Sequence, residues 1–218
     1  MIGFLALLLC AGMAHGEEDV VAAVDARAGE FAAVAQAIWE HAELGYLEER
    51  SSALLQEHLA AAGFRIERGV AGIPTAFVAE YGQGEPVVAL LAEFDALPGL
   101  SQQAVAYRAP RVAEGAGHAC GHHLFGAGSL AAVIVAAEWL QREGVAGTIR
   151  LYGTPAEEGG SGKVYMVRAG LFDDVDAVLN WHPADRNTAN PRTTLANKSA
   201  KFRFRGDGIR ARALGSGR

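Results

Sequence analysis

The sequence predicts an α/β fold, with a mostly parallel central sheet flanked by helices. Three observations lead there. The 218 residues are 50% hydrophobic and 20% charged, enough apolar material for one sizeable core. From Leu124 onward, segments of helical period alternate with short apolar runs, joined by short connections. The chemistry-bearing residues fall just past the ends of those runs, where a parallel sheet gathers its ligands.

Apolar residues recur at helical spacing from Val20 to Trp39 (Val20, Val24, Phe31, Val34, Ala35, Ile38) and predict an amphipathic helix. Glu48 to Ala62 predicts a second, with Leu54, Leu55 and Leu59 on one face. Gly63 follows, where a left-handed backbone ends a helix at least cost. Thr75 to Tyr81 reads as a strand closed by the turn Gly82-Gln83-Gly84. The continuous apolar run Pro86 to Leu91 suits a strand buried on both faces. Leu124 to Arg142 is a long apolar helix, Thr148 to Gly153 a short strand, Gly162 to Ala169 a short helix ending at Gly170, and Ala177 to Trp181 a strand.

The formal net charge of -6 argues against nucleic acid as a partner, since phosphates need a basic footprint. The 27 glycines cluster between apolar runs and indicate tight loops rather than low complexity, and no internal repeat is visible. The apolar run Ile2 to Cys10 is too short to span a bilayer. With Ala14 and Gly16 forming a small-residue end, residues 1–16 read as a signal peptide, although no Lys or Arg precedes the run. The protein is then periplasmic or secreted if Met1 is the true start, and cytoplasmic if translation begins at Met13. Cys10 lies in that run and Cys120 between histidines, so a structural disulfide between them is not expected.

The strand ending at Leu91 runs into Glu93 and Asp95, that ending at Gly153 into Glu157 and Glu158, and that ending at Trp181 into His182. Cys120 and His122 directly precede a helix. In a parallel sheet these positions share one edge. The motif Gly117-His118-Ala119-Cys120-Gly121-His122-His123 concentrates the ligand types of zinc-like ions. Cys120 and His122 are the best pair, because Gly121 lets the backbone turn both toward one ion, while His118 and His123 fit a supporting or wall role. A loop of solvated histidines around a buried cysteine is the bland alternative. In Pro155-Ala156-Glu157-Glu158-Gly159-Gly160, adjacent carboxylates imply divided labour: one holds metal, the other takes a proton from water that the metal acidifies. An ordinary exposed acidic loop competes with this, since Glu-Glu pairs such as Glu48-Glu49 are common. Asp95, at a buried strand end, is suited to orient a ligand histidine. His182 alone would be weak; its place beside the other clusters strengthens it.

Other patterns fail. Gly126-Ala127-Gly128 lacks the third glycine of a dinucleotide fingerprint, and Ser161 sits in no nucleophile elbow. The basic stretch at Lys198, Lys201, Arg203 and Arg205 alternates with Phe202 and Phe204 and reads as a strand.

The linked motifs His118-Ala119-Cys120-Gly121-His122 and Pro155-Ala156-Glu157-Glu158-Gly159 resemble the aminoacylase/carboxypeptidase family of co-catalytic metallopeptidases, in its amidohydrolase branch. Tyr81 to Gly84, Phe94 to Gln103, Gly160 to Lys163, Asp173 to Ala177, Trp181 to Pro183 and Arg192 to Asn197 continue the resemblance, which covers about Ala22 to Gly206. It implies a hydrolase-like catalytic domain with two divalent ions, zinc or manganese, held by Cys120, His122, Glu158 and His182. It implies Glu157 as general base and then acid in cleaving a small-molecule amide, with Asp95 supporting. Glu93 stands where the peptidase branch has a ligand histidine, and Cys120 substitutes for it; His123 departs from the family's Asp or Asn and receives no role.

The resemblance implies residues 17–200 as the N-terminal part of the catalytic domain, incomplete at its C-terminus, and 201–218 as the start of an inserted small domain followed by an aberrant, disordered tail. Hydrolysis of an N-acylated amino acid, or of a dipeptide, is the expected activity, with a homologous subunit or a second copy as partner in the full-length form. An inactive, truncated metal-binding fragment is the contrasting expectation. If Met1 is the start, N-terminal sequencing of exported protein should read from near Glu17; a cytosolic product beginning at Met13 would overturn the signal-peptide reading.

Overall fold

The computed structural model describes residues 20–189 together with 193, 196 and 200–204; the signal-peptide reading and the tail from 205 lie outside the described residues. The chain divides into a compact unit ending at Ala184 and a second unit from Asp185. Among its described residues the second unit forms no helix or strand. Phe202 and Phe204 are exposed, and 201–204 finds no ladder partner, so the strand expected there is absent among the described residues.

In the first unit, helices α1 (Ala28–His41) and α2 (Glu49–Ala61) precede strand β1 (Arg65–Arg68) and a 3-10 turn, Val70–Gly72. Strands β2 (Phe77–Gln83) and β3 (Val87–Ala92) follow, then the long helix α3 (His122–Glu143) and β4 (Gly147–Gly153). The one-turn α4 (Glu157–Gly160), α5 (Gly162–Arg168) and β5 (Ala177–Leu179) complete the order. The helix expected from Val20 is interrupted at Arg27, whose guanidinium binds Glu30 and Glu138. β1 is the strand that periodicity missed: Arg-Ile-Glu-Arg offers only Ile66 to the core.

The five strands form one sheet in the order β1-β2-β4-β3-β5. β3 lies parallel to both β4 and β5, whereas β1-β2 and β2-β4 are antiparallel. The parallel half is the half that matters for function, since it brings the C-terminal ends of β3, β4 and β5 to one edge.

Alternation along the strands builds two apolar layers. Phe77, Ala79, Leu90, Ala92 and Leu151 face α1, α2 and α3, packing on Ile38, Leu55, Leu59, Leu130 and Ile134. Val78, Ala89, Leu91 and Tyr152 face the other side, against Met166 of α5, Val70 of the 3-10 turn and Ile73 just after it. Burial of this kind contributes about 25 cal/mol per Å² of apolar surface. α3 is long and apolar enough to cross a membrane, but most of its apolar stretch is buried in the protein. Its opening glycines are explained by close packing: a Cβ at Gly128 would lie 2.7 Å from the Trp181 indole.

Gly153, at the end of β4, pairs with Phe77, whose ring occupies the space a Cβ would need. Phe77 is fully buried and stacks on Phe94 at 6.3 Å, so it cannot swing aside. Gly153→Ala should therefore cost about 1–3 kcal/mol of stability, read as a lower urea midpoint at unchanged slope.

Candidate metal centre

Each element delivers a side chain to the common edge. β3 runs directly into Glu93 and Asp95, both buried. α3 begins at His122, preceded by Gly121 at φ 85, a left-handed turn that a Cβ would make unfavourable and that would also press a side chain onto Pro183. β4 leads through Ala156 into α4 and its two glutamates. β5 leads to His182.

His122 is at the centre and is fully buried. Its Nδ1 lies 2.8 Å from Asp95 Oδ1 and 3.1 Å from the Asp95 carbonyl, which turns Nε2 toward the edge. Around Nε2 stand Glu93 Oε2 at 2.9 Å, Glu158 Oε1 at 3.9 Å and Glu157 Oε2 at 4.0 Å. Cys120, His122 and His182 each offer a donor atom, all within 4.8 Å of one another, with Cys120 Sγ 3.5 Å from His182 Nε2. Glu93, His122 and Glu157 form a second such group. His182 Nδ1 lies 2.9 Å from the Pro183 carbonyl, which leaves Nε2 available.

The test of whether these residues suit a metal lies in their unmet bonding. Glu158 Oε1 is buried and makes no hydrogen bond among the described residues, and it converges with Glu93 Oε2 and His122 Nε2, which pair at 2.9 Å without the alignment of a hydrogen bond. Buried polar atoms of that kind are rare in proteins and ask for an ion or water between them. Imidazole, thiol and carboxylate together are the donor set of zinc-like ions.

The electrostatics point the same way. Burial alone would lower the His122 pKa, but Asp95 and Glu93 overcome it and raise it to about 10. Burial and then the neighbouring Glu158, Glu157 and Glu93 push the Cys120 thiol up to about 11. Burial and the Glu93 charge raise Glu157 above the usual carboxylate range. Burial would raise Glu93 too, but His122 and Lys163 bring it below that range, Lys163 donating a hydrogen bond to Glu93 Oε1. Four carboxylates facing one imidazole and one ammonium leave a surplus of negative charge that a divalent cation would neutralise.

The structure thus brings Cys120, His122, Glu158, His182, Glu157 and Asp95 to one place. His118 and His123 lie behind them, rings 5.2 Å apart, with His118 Nε2 3.0 Å from the Ile38 carbonyl; burial lowers the His118 pKa to about 4. Sequence reasoning placed Glu93 at this edge without giving it a role, and it missed Lys163 and Glu48. Glu93 points Oε2 into the cluster, and Lys163 meets its other oxygen from α5. Glu48, from a pair that looked like ordinary surface acid, is fully buried and accepts the Ala156 N–H. A cavity of about 420 Å³ beside the cluster is lined by Tyr46, Leu97, Pro98 and Glu158, room for a small substrate. A larger hollow near Tyr81 and Gln141, about 680 Å³, lies at the opposite strand ends and holds no cluster of titratable groups.

Residues 89–203 match the model of Peptidase family M20/M25/M40. The chain is 50% identical over 186 residues to one subunit of the p-aminobenzoyl-glutamate hydrolase of Escherichia coli (strain K12), covering 84% of this chain and 38% of that protein. It is 33% identical over 179 residues to Xaa-Arg dipeptidase of Mus musculus, covering 76% of this chain and 38% of that protein. Among solved structures it is similar to the Bacillus subtilis YXEP protein, described as a dinuclear metal binding peptidase from the M20 family, with a TM-score of 0.60 and 28% identity over 73% of this chain and 44% of that one. The chain thus spans about two fifths of the length of these relatives.

In the metal-free protein His122 should titrate near pH 10, followed by imidazole NMR. Because its folded pKa is raised, its ion pairs stabilise fully below about pH 6.5 and that contribution is lost as pH rises through about 10. Asp95→Asn should bring the titration down by about a unit or more; an unchanged titration would remove Asp95 as the cause.

Proposed function

The chain belongs to peptidase family M20/M25/M40, and on that premise we propose that it forms the metal-binding part of an amidohydrolase that cleaves N-acylated amino acids, p-aminobenzoyl-glutamate first among them. The observation that carries this reading is the convergence of buried Glu93 Oε2, His122 Nε2 and Glu158 Oε1, none with an aligned hydrogen bond among the described residues, beside Cys120 and His182. The substrate class rests on the 50% identity to a hydrolase of that amide.

The proposed cofactors are two divalent ions, zinc or manganese, which Cys120, His122, Glu158 and His182 would hold. Bound there, they would polarise the amide carbonyl and make water easier to deprotonate. The remaining work falls to the chain's own side chains. Glu157, half-exposed at the edge and raised above its ordinary pKa by burial and the Glu93 charge, accepts the proton of the attacking water and returns it to the leaving amine. Asp95 holds His122 in one orientation through Nδ1. Lys163 balances the charge of Glu93, so that the cluster keeps one more carboxylate than Glu157 and Glu158 alone. The cavity walled by Tyr46, Leu97 and Pro98 would seat the apolar part of the substrate.

The likeness to an Xaa-Arg dipeptidase supports a second reading, in which a dipeptide replaces the acyl-amino acid. A homologous subunit is the proposed partner, because the Escherichia coli relative is itself named as one subunit of its enzyme. A third reading, a metal-binding piece without turnover of its own, is separated from both by assaying this chain directly.

Zinc titrated into metal-free chain at pH 7 should bind with release of about two protons, from His122 and Cys120, read by calorimetry in buffers of different ionisation enthalpy. Affinity should rise with pH, since both groups must lose a proton to bind. p-Aminobenzoyl-glutamate, a dipeptide ending in arginine and a benzoyl-amino acid are then offered to the zinc- and manganese-loaded chain and to a full-length relative. Glu157→Gln should keep metal affinity and lower turnover by about 100-fold or more wherever the parent is active. Absence of zinc binding would sink the metal reading; retained turnover in Glu157→Gln would sink the assignment of the base.

A further inference from the structure

Resting on the metal-centre reading, we propose that Glu48 is a positioning residue for Glu157 and Glu158, acting through the Ala156 peptide. Ala156 is the hinge between β4 and α4, with φ 58 and ψ 41. That left-handed conformation crowds an alanine Cβ against its own backbone. Ala156 is fully buried and brings no side-chain cap of its own. Its N–H is taken instead by Glu48 Oε1 at 2.8 Å, while Glu48 Oε2 accepts Thr75 Oγ1 at 3.0 Å. Glu48 itself is fixed at the start of α2, where its carbonyl accepts Ser52 N–H at 2.9 Å.

A single turn of helix cannot sustain itself, because nucleation costs more than its few hydrogen bonds return. α4 has four residues, and it is held at three points from outside. Glu48 takes the Ala156 N–H before it, Asp95 Oδ2 takes the Glu158 N–H within it at 2.9 Å, and Tyr46 donates to the Gly160 carbonyl at its end. Two of the three come from the same loop, which approaches closely because Gly45 has no side chain: a Cβ there would lie 2.9 Å from Ala156 Cα. A fully buried carboxylate with no cation bonded to it among the described residues is costly to desolvate. Thr75 and the Ala156 amide are its bonding partners, and the second fixes where both glutamates of the cluster begin.

The test uses the whole chain in four forms: parent, Glu48→Gln, Glu48→Leu, and Glu48→Leu combined with Ala156→Gly. Glutamine keeps an acceptor for the amide, leucine removes it, and glycine removes the crowding that the amide bond holds in check. Two measurements are made: backbone amide exchange over 154–160 in the metal-free chain, and zinc affinity by calorimetry. Glu48→Leu should lose about tenfold or more of the exchange protection at Ala156 and Glu158, with β4 still protected. It should also weaken zinc by about 10- to 100-fold, the usual effect of losing a group that orients a ligand. Glu48→Gln should stay near the parent, and Ala156→Gly should recover most of the Glu48→Leu loss. A folded Glu48→Leu with unchanged exchange and zinc affinity overturns the inference. So does a loss of protection across the whole sheet that glycine does not restore, since that is the signature of a core defect. A parent that binds no zinc, with 156–160 still responding as expected, would overturn the metal reading and leave the positioning role standing.

Discussion

Asp95 is a single buried carboxylate on which three elements converge. It follows the end of β3, its Oδ1 sits 2.8 Å from His122 Nδ1 at the start of α3, and its Oδ2 accepts the Glu158 N–H of α4. Those three elements enter the edge from different parts of the chain, and without a common acceptor each would close its own polar groups locally. The geometry of the cluster therefore depends on a parallel β3-β4 ladder in which Ala92 pairs with Gly153, because that register places Asp95 within reach of both α3 and α4.

Around this anchor the chain accumulates charge of one sign. Glu93, Glu157 and Glu158 crowd His122: Asp95 and Glu93 hold His122 protonated to about 10, while burial together with the neighbouring carboxylates pushes the Cys120 thiol to about 11 and raises Glu157. Lys163 offsets only part of it. Such an arrangement is unfavourable for folding by itself and becomes favourable when a cation shares it. The kinship with peptidase family M20/M25/M40 supplies a reason for a protein to keep so strained a cluster.

Much of the fold was legible because the buried strands and helices have strong periodicity. The apolar run before Glu93, the long helix after His123 and the short strand before Glu157 each appeared within about two residues of their observed bounds. β1 escaped because an edge strand of alternating charge buries only Ile66. The antiparallel β1-β2-β4 half escaped as well, since pairing direction depends on which strand lies beside which, and no local pattern in Phe77–Gln83 encodes its neighbour. In the site, Cys120, His122, Glu157, Glu158, Asp95 and His182 could be named from ligand type and from their place at element ends. Glu48 could not. Its neighbours Glu49 and Arg50 are exposed, and a carboxylate buried by a segment more than a hundred residues away leaves no trace in its own surroundings.

The sequence by itself determined the α/β class, the residue types able to hold a divalent ion and the gathering of those residues past strand ends, because side-chain chemistry and hydrophobic period are local properties. Only the tertiary structure decided which atoms face one another. That His122 presents Nε2 rather than Nδ1 follows from Asp95, that Glu93 turns Oε2 inward onto His122 follows from Lys163 holding the other oxygen, and that Glu157 and Glu158 start where they do follows from a left-handed Ala156 tied to Glu48. Each is a contact between residues distant in sequence, and its strength comes from burial, which exists only once the sheet and helices have closed over it.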